Sequence, residues 1–364
     1  QVISNLLGDK TRTAGYISDL NERYEMLRKK HRDNRSEETY LGIDEARRNK
    51  FIGQFDKDTV FTPTRQGVIH IENQSLEELV PFIDWTFFFH SWRISGKYPQ
   101  IFEDPLKGVE ARKLFDDAQV LLKKIVNEKL LVAKGTVGIF PANSEGDSIR
   151  IFNPTSPDSQ IATFEFLRNQ QKKNDDIANL CLADFIAPSS VGIKDFLGCF
   201  VVTAGIGLDP IVQQFELEND DYNAIMAKVL ADRLAEAFAE FLHYKVRKEY
   251  WGYSPDEPFE ITQILGEEYS GIRPAPGYPA CPEHSEKQII FDLLDAEKLT
   301  GVSLTENFAM TPTAAVSGFY FAHPDSQYFN VGKIGRDQLY DYSQRKQISI
   351  AEMERLLNSN LNYK

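Results

Sequence analysis

The sequence predicts an α+β fold: one large domain with a mainly antiparallel, twisted sheet flanked by long helices, and a helical linker ahead of it. Three observations predict it. A long amphipathic helix reads clearly over 220–249. Two apolar segments, 135–142 and 147–152, flank the turn "NSEG" and read as a β-hairpin. Strands and helices are mixed along the chain without strict β-α-β alternation, which argues against a wholly parallel sheet.

The chain has 364 residues, of which 42% are hydrophobic and 26% charged, enough apolar material for a core that needs no staples. Its net charge of −13 repels phosphate backbones and anionic membranes, so neither nucleic acid nor membrane is expected as a partner. The cysteines, Cys181, Cys199 and Cys281, are odd in number and far apart, which fits a reducing compartment and no disulfide framework. The six histidines are scattered and form no metal-binding spacing. There is no signal-peptide pattern and no apolar run of about 18 residues, so the expected location is the cytoplasm.

The chain opens on Gln1 rather than Met, which suggests a piece of a longer protein. Residues 1–7 read as the end of an amphipathic helix, and 19–40 as a solvated helix with a polar connector. Two readings of this segment stand: a frayed arm, or a linker to a neighbouring module. The compact part then runs over 41–364. Its further strands are expected at 196–205 and 328–334, and its helices at 108–129, 220–249, 286–299 and 348–357.

In the helix at 220–249, Ile225, Met226, Val229, Leu230, Leu234, Ala237, Phe238 and Phe241 form an apolar stripe that belongs in the core. Asp232, Glu236 and Glu240 recur at four-residue spacing on another face, each neighbouring pair costing a few tenths of a kcal/mol in repulsion, to order of magnitude. A solvated face explains them, and so does a ridge facing a cation or the hydroxyls of a ribose.

The stretch "RPAPGYPACPEHSEK" at 273–287 suits neither a helix nor a central strand. Three uses fit it: a tight structural loop, a Cys/His catalytic site, or a stiff platform for a small ligand. Pro274, Pro276, Pro279 and Pro282 fix their own φ and push the residues before them to extended angles. Gly277 supplies a turn. The N–H groups of Ala275, Gly277, Tyr278, Ala280 and Cys281 offer a backbone edge for a heterocycle. Arg273 is suited to a two-pronged grip on a carboxylate, and Tyr278 to presenting a ring face to a cation. Cys281 and His284 lie three apart, but nothing marks an oxyanion hole beside them.

This stretch resembles the S-adenosylmethionine-binding motif of the activation domain of cobalamin-dependent methionine synthases. "IDWTFFFHSWRISGKYP" at 83–99, "CLADFIAP" at 181–188, "DDYNAIMAKVLADRLAEAFAE" at 220–240, "ENFAMTPTAAVSGFYFAHPDSQYF" at 306–329 and "RDQLYDYSQRK" at 336–346 are similar to the same family, in its order. Residues 1–7 resemble the last helix of the cobalamin-binding module that precedes this domain, which makes 1–40 the end of that module and a linker, and 41–364 the activation domain.

The resemblance implies a function. In this family a methyl group passes from methyltetrahydrofolate to homocysteine through cob(I)alamin, which is occasionally oxidised to an inactive form. The activation domain then presents S-adenosylmethionine to the corrin while a flavodoxin-type partner donates an electron. The chemistry belongs to the cofactors, and the protein supplies position. The resemblance implies no catalytic residue and no metal in this chain; cobalamin sits on the adjacent domain, and zinc belongs to the homocysteine module.

The same resemblance gives residue roles. Arg273 would hold the methionine carboxylate, and Asp84 would meet the amino group, unless it is simply a helix N-cap. Ala275, Gly277, Tyr278 and Ala280 lie in the stretch that would contact adenine through its backbone. Glu236 and Glu267 would be polar contacts near the ribose or amino end, and Tyr328 and Phe329 the aromatic pair beside the ligand, one of them by side chain. Asp232 would face the corrin. Thr311 and Thr313 depart from an aromatic and a glycine frequent in the family, and Phe329 from a tyrosine. A second function of another class is a non-catalytic module that senses S-adenosylmethionine and recruits a flavodoxin-type reductase.

Overall fold

Residues 10–33, 39–174 and 177–363 are described by a computed structural model. Among them, a six-stranded antiparallel sheet is built from β1 (Gly67–Gln74), β2 (Val132–Glu145), β3 (Ser148–Asn153), β4 (Ser156–Glu165), β5 (Asp195–Ile206) and β8 (Ala315–Tyr320). A two-stranded ribbon, β6 (Ser303–Leu304) with β7 (Met310–Thr311), precedes β8. The sheet runs β4-β3-β2-β5-β8. The length of β2 lets one of its edges pair with β1 over Ala133 to Ile139 and with β3 over Ala142 to Glu145.

The continuous apolar run of β5 has its cause in a sheet covered on both faces. Phe200, Val202 and Ala204 point into one hydrophobic cluster, while Leu197, Cys199 and Val201 point into another. The helices of seven residues or more among the described residues are α1 (Lys10–Asp33), α2 (Trp85–Ser91), α3 (Gly108–Asn127), α4 (Leu208–Leu217), α5 (Asp221–Lys245), α6 (Glu286–Leu294), α7 (Arg336–Lys346) and α8 (Ile350–Leu356). Residues of α2, α3 and α5 fill the first cluster, and Ile290, Phe291 and Leu294 of α6 join the second. Among the described residues, no helix is long and apolar enough to cross a membrane.

Several local expectations need correction. The hairpin turn is tighter than 143–146: Asn143, Ser144 and Glu145 stay in β2, and Gly146, at φ +63°, makes the reversal with Asp147. Residues 328–334 are not a strand; Asn330 accepts from the N–H of Gly332 at 2.8 Å, and Gly332 takes φ +69°, which breaks an extended run. The helix expected at 286–299 divides at Asp295, which sits at φ +49°. The long helix ends its regular turns at Lys245 and closes with a π turn over Val246–Tyr250. Ile225 is not core but 48% exposed, because it shares a helix face with Asp232 and Glu236. The first helix, α1, begins at Lys10, well ahead of position 19. The helical reading of 1–7, and positions 34–38 of the connector, lie outside the described residues.

Candidate functional site

The proline-rich stretch begins as an added sheet edge. Ile272 exchanges two backbone hydrogen bonds with Phe321, both 3.0 Å, and the carbonyl of Pro274 accepts from Phe319 N–H at 2.9 Å. A proline has no N–H to donate, so an edge is where the sheet tolerates it. The chain then folds on itself: Tyr278 N–H donates to Ala275 O at 3.2 Å, Gly277 N–H to Cys281 O at 2.7 Å, and Cys281 N–H to Tyr278 O at 2.9 Å. Val331 N–H ties the loop from outside through Pro279 O at 2.9 Å.

This corrects the expectation of a wholly open backbone edge. The N–H groups of Gly277, Tyr278 and Cys281 are used inside the loop, whereas those of Ala275 and Ala280 make no hydrogen bond among the described residues. The side chain of Ala280 is buried, and that of Ala275 half-buried.

Arg273 stands where the added edge meets α5. Its Nη2 donates to Glu240 Oε2 at 2.7 Å, and its backbone N–H donates to the Tyr328 hydroxyl at 2.9 Å. Both partners of the ion pair are nearly enclosed, Arg273 with 14% and Glu240 with 10% of the side chain exposed. Burial opposes the guanidinium charge, but the Glu240 carboxylate outweighs it and holds the pKa of Arg273 above its ordinary value. Among the described residues, Arg273 Nε and Glu240 Oε1 find no hydrogen-bond partner although both are buried.

A layer of aromatic and polar side chains backs this pair. His243 stacks on Tyr320 at 5.0 Å and meets the edge of Tyr269 at 4.9 Å. Burial first, then the nearby Arg247 and Arg273, push the His243 pKa well below its ordinary value, so the imidazole is neutral. Arg247 grips Glu257 with Nε at 2.7 Å and Nη2 at 2.6 Å, and lies 3.8 Å from the centre of the Tyr269 ring.

The other expected residues gather around this centre to different degrees. Glu267, at φ +57°, has its carboxyl pKa raised by burial and by Glu240, while Arg273 pulls it down, so all three share one electrostatic neighbourhood. Glu236 is half-buried one turn before Glu240, and its charge helps burial raise the pKa of Tyr278. Asp84 caps α2, its carboxylate accepting from Thr86 N–H at 2.8 Å. The segment that carries it packs on α5: Phe82 contacts Phe241 at 5.4 Å, and the ring of Phe87 lies 6.0 Å from the Arg233 guanidinium. Asp232 is exposed at the surface.

The aromatic pair divides. Tyr328, 43% exposed, binds the Arg273 backbone, while Phe329 turns inward to Phe185 at 6.5 Å. Thr311 belongs to the ribbon, and Thr313 lies in the bend just ahead of β8, whereas Arg273 is level with the end of that strand. Cys281 is buried, and burial raises its thiol pKa well above the ordinary value; His284 Nδ1 faces Lys287 Nζ at 3.0 Å, so the two do not form a nucleophile–base pair.

The sequence reading missed Glu240 as a buried residue, along with His243, Tyr269 and Tyr320. It put Glu240 on one acidic row with Asp232 and Glu236, read either as a solvated face or as a ridge facing a cation or a ribose. Exposure instead falls along that row, from exposed Asp232 through half-buried Glu236 to buried Glu240. The available signal was local: Phe238, Ala239, Phe241 and Leu242 surround Glu240 with apolar groups.

The vitamin B12 dependent methionine synthase activation domain family matches residues 75–347. A solved structure of the MetH reactivation domain bound to AdoHcy is similar over 89% of this chain and 99% of that one, at 50% sequence identity and a TM-score of 0.85. Sequence and fold agree over most of the chain, so this chain belongs to the family of vitamin B12 dependent methionine synthase activation domains.

Proposed function

We propose that this domain binds S-adenosylmethionine between the 273–280 loop and α5, and holds its sulfonium methyl toward cobalamin carried by another module during reductive reactivation. One observation carries the reading: Arg273 is fixed by a buried carboxylate on one edge, while its Nη1 makes no hydrogen bond among the described residues. That arrangement suits a ligand carboxylate. The solved relative bound to AdoHcy, the demethylated product, supports the ligand class.

The residues divide the work. Arg273 takes the carboxylate, Asp84, Glu236 and Glu267 surround the cationic amino end, and the open N–H groups of Ala275 and Ala280 meet adenine, with Gly277 shaping the turn. Tyr278 and Tyr328 offer exposed ring faces at the rim, Phe329 supports that rim from within, and Asp232 lies on the side turned to the corrin. Cobalamin, when its module docks, supplies the nucleophile for the methyl group. The protein contributes orientation rather than acid–base chemistry. Residues 1–40 link this domain to the cobalamin module, a flavodoxin-type reductase supplies the electron, and the protein works in the cytoplasm. By itself the domain binds ligand and transfers no methyl group.

Calorimetric titration with S-adenosylmethionine tests the binding. Addition of a cobalamin-loaded module and a reductant tests the transfer. Saturable binding together with methylation of the cobalamin is expected. Binding without methylation would favour the sensing and docking module instead, and no binding would end both readings.

A further inference from the structure

Arg247 and Arg273 meet their carboxylates in different ways. Arg247 closes a two-bond fork on Glu257 through Nε and Nη2. Arg273 uses Nη2 alone on Glu240 Oε2, and the second half of that fork, Nε with Oε1, stays open although both atoms are buried. Among the described residues, the end of the guanidinium beyond Nη2 has no hydrogen-bond partner. We infer that Glu240 is a positioning residue: it holds the inner edge of Arg273 so that the outer end faces the carboxylate of S-adenosylmethionine. This rests on the reading that Arg273 receives that carboxylate.

The surroundings leave Glu240 and Arg273 dependent on each other. The hydroxyls of Tyr269 and Tyr320 are buried without hydrogen-bond partners among the described residues, and neutral His243 adds no positive charge. Arg247, the other buried cation of this region, is committed to Glu257. Glu267 shares the field of Arg273 from a different segment. If Glu240 loses its charge, Arg273 is free to swing to Glu267, and its outer end no longer meets the ligand. Tyr328 fixes only the backbone of Arg273, so it does not replace Glu240 as a guide for the guanidinium.

The test compares two ligands. Wild type and Glu240→Gln are titrated with S-adenosylmethionine and with decarboxylated S-adenosylmethionine, which keeps the sulfonium and the adenosine but has no carboxylate for Arg273. Glu240→Gln should weaken S-adenosylmethionine about tenfold, the scale of one charge-assisted hydrogen bond. It should leave the decarboxylated ligand within about twofold of wild type, and should have no further effect in an Arg273→Ala background. Equal weakening of both ligands would mean a general structural role, and no weakening of either would mean no role; each overturns the inference. If Glu240→Gln does not fold, Glu240→Asp serves in the same comparison, since it keeps the charge but withdraws it by one methylene. Failure of the wild type to bind S-adenosylmethionine would instead overturn the functional reading beneath.

Discussion

The α-carbon of Gly277 is packed against the imidazole of His284: a Cβ there would lie 2.3 Å from Cε1 and 2.7 Å from Nδ1, and Gly277 sits at φ +96°. Two separate demands therefore exclude a side chain, one from the backbone and one from the ring. His284 is in turn held by Lys287 Nζ at 3.0 Å, which also donates to Phe308 O at 3.1 Å. The turn of the 273–280 loop and the start of α6 thus share one contact.

Gly277→Ala should lower stability by about 1–2 kcal/mol from the left-handed backbone alone, and displace the loop as well. His284→Ala removes the ring and should recover part of the loss in ligand binding, but none of the backbone strain. Thermal melts and ligand titrations of the two single variants and the double variant separate these terms. A purely additive double variant would show that the ring contact carries no energy.

Arg168 organises a second buried centre, with 1% of its side chain exposed. Its Nε donates to Asp147 at 2.9 Å, its Nη1 and Nη2 to Asp184 at 2.6 and 2.7 Å, and Nη1 also to Asn179 O at 2.7 Å. Arg47 reaches Asp147 from outside at 2.8 Å. Arg168→Met leaves two buried carboxylates facing each other, and should cost about 3–5 kcal/mol in urea unfolding. A loss below about 1 kcal/mol would mean that the carboxylates neutralise themselves by taking up protons.

Periodicity made part of this fold legible. The stripe of α5 and the uninterrupted apolar run of β5 announce themselves because β5 is buried along nearly all its length and the stripe, Ile225 excepted, packs into the core. β4 does not, since "SPDSQIATFE" is polar and largely exposed at the sheet edge. The four prolines marked the loop, but not how it closes through Gly277, Tyr278 and Cys281. Local sequence suggested a carboxylate grip at Arg273. Its pairing with Glu240 depends on two segments meeting only in the folded chain, as does the bond from Arg273 to Tyr328. Asp84 is similar: its cap is local and was weighed from the sequence, whereas its place beside α5 comes from the packing of Phe82 and Phe87.

Cys181, Cys199 and Cys281 are free and buried, and burial raises the thiol pKa of each above its ordinary value. A thiol-specific reagent should therefore label none of them in the native protein, and all three after denaturation. Cys281→Ser should keep ligand affinity while losing some stability, because a hydroxyl is harder to bury than a thiol. Rapid native labelling of Cys281 would contradict this and would reopen the possibility of thiol chemistry in the loop.

Asp195 gives the fold a pH dependence of unusual sign for an aspartate. Its carboxylate is buried at the start of β5, where it accepts from Ala187 N–H at 2.8 Å and Phe196 N–H at 2.7 Å. Burial outweighs those two bonds and pushes its pKa up from 3.8 to about 7. The folded protein therefore keeps this proton over a range in which the unfolded chain has released it. Its contribution to stability is fully present below the ordinary aspartate pKa, and is lost as pH rises through about 7. Asp195→Asn retains an acceptor for the backbone donors and never ionises. Ionisable groups common to both proteins cancel in the comparison, so the thermal midpoint of the variant relative to wild type should rise between pH values of about 4 and about 8. Parallel midpoint curves would show that the carboxyl keeps its ordinary pKa in the fold.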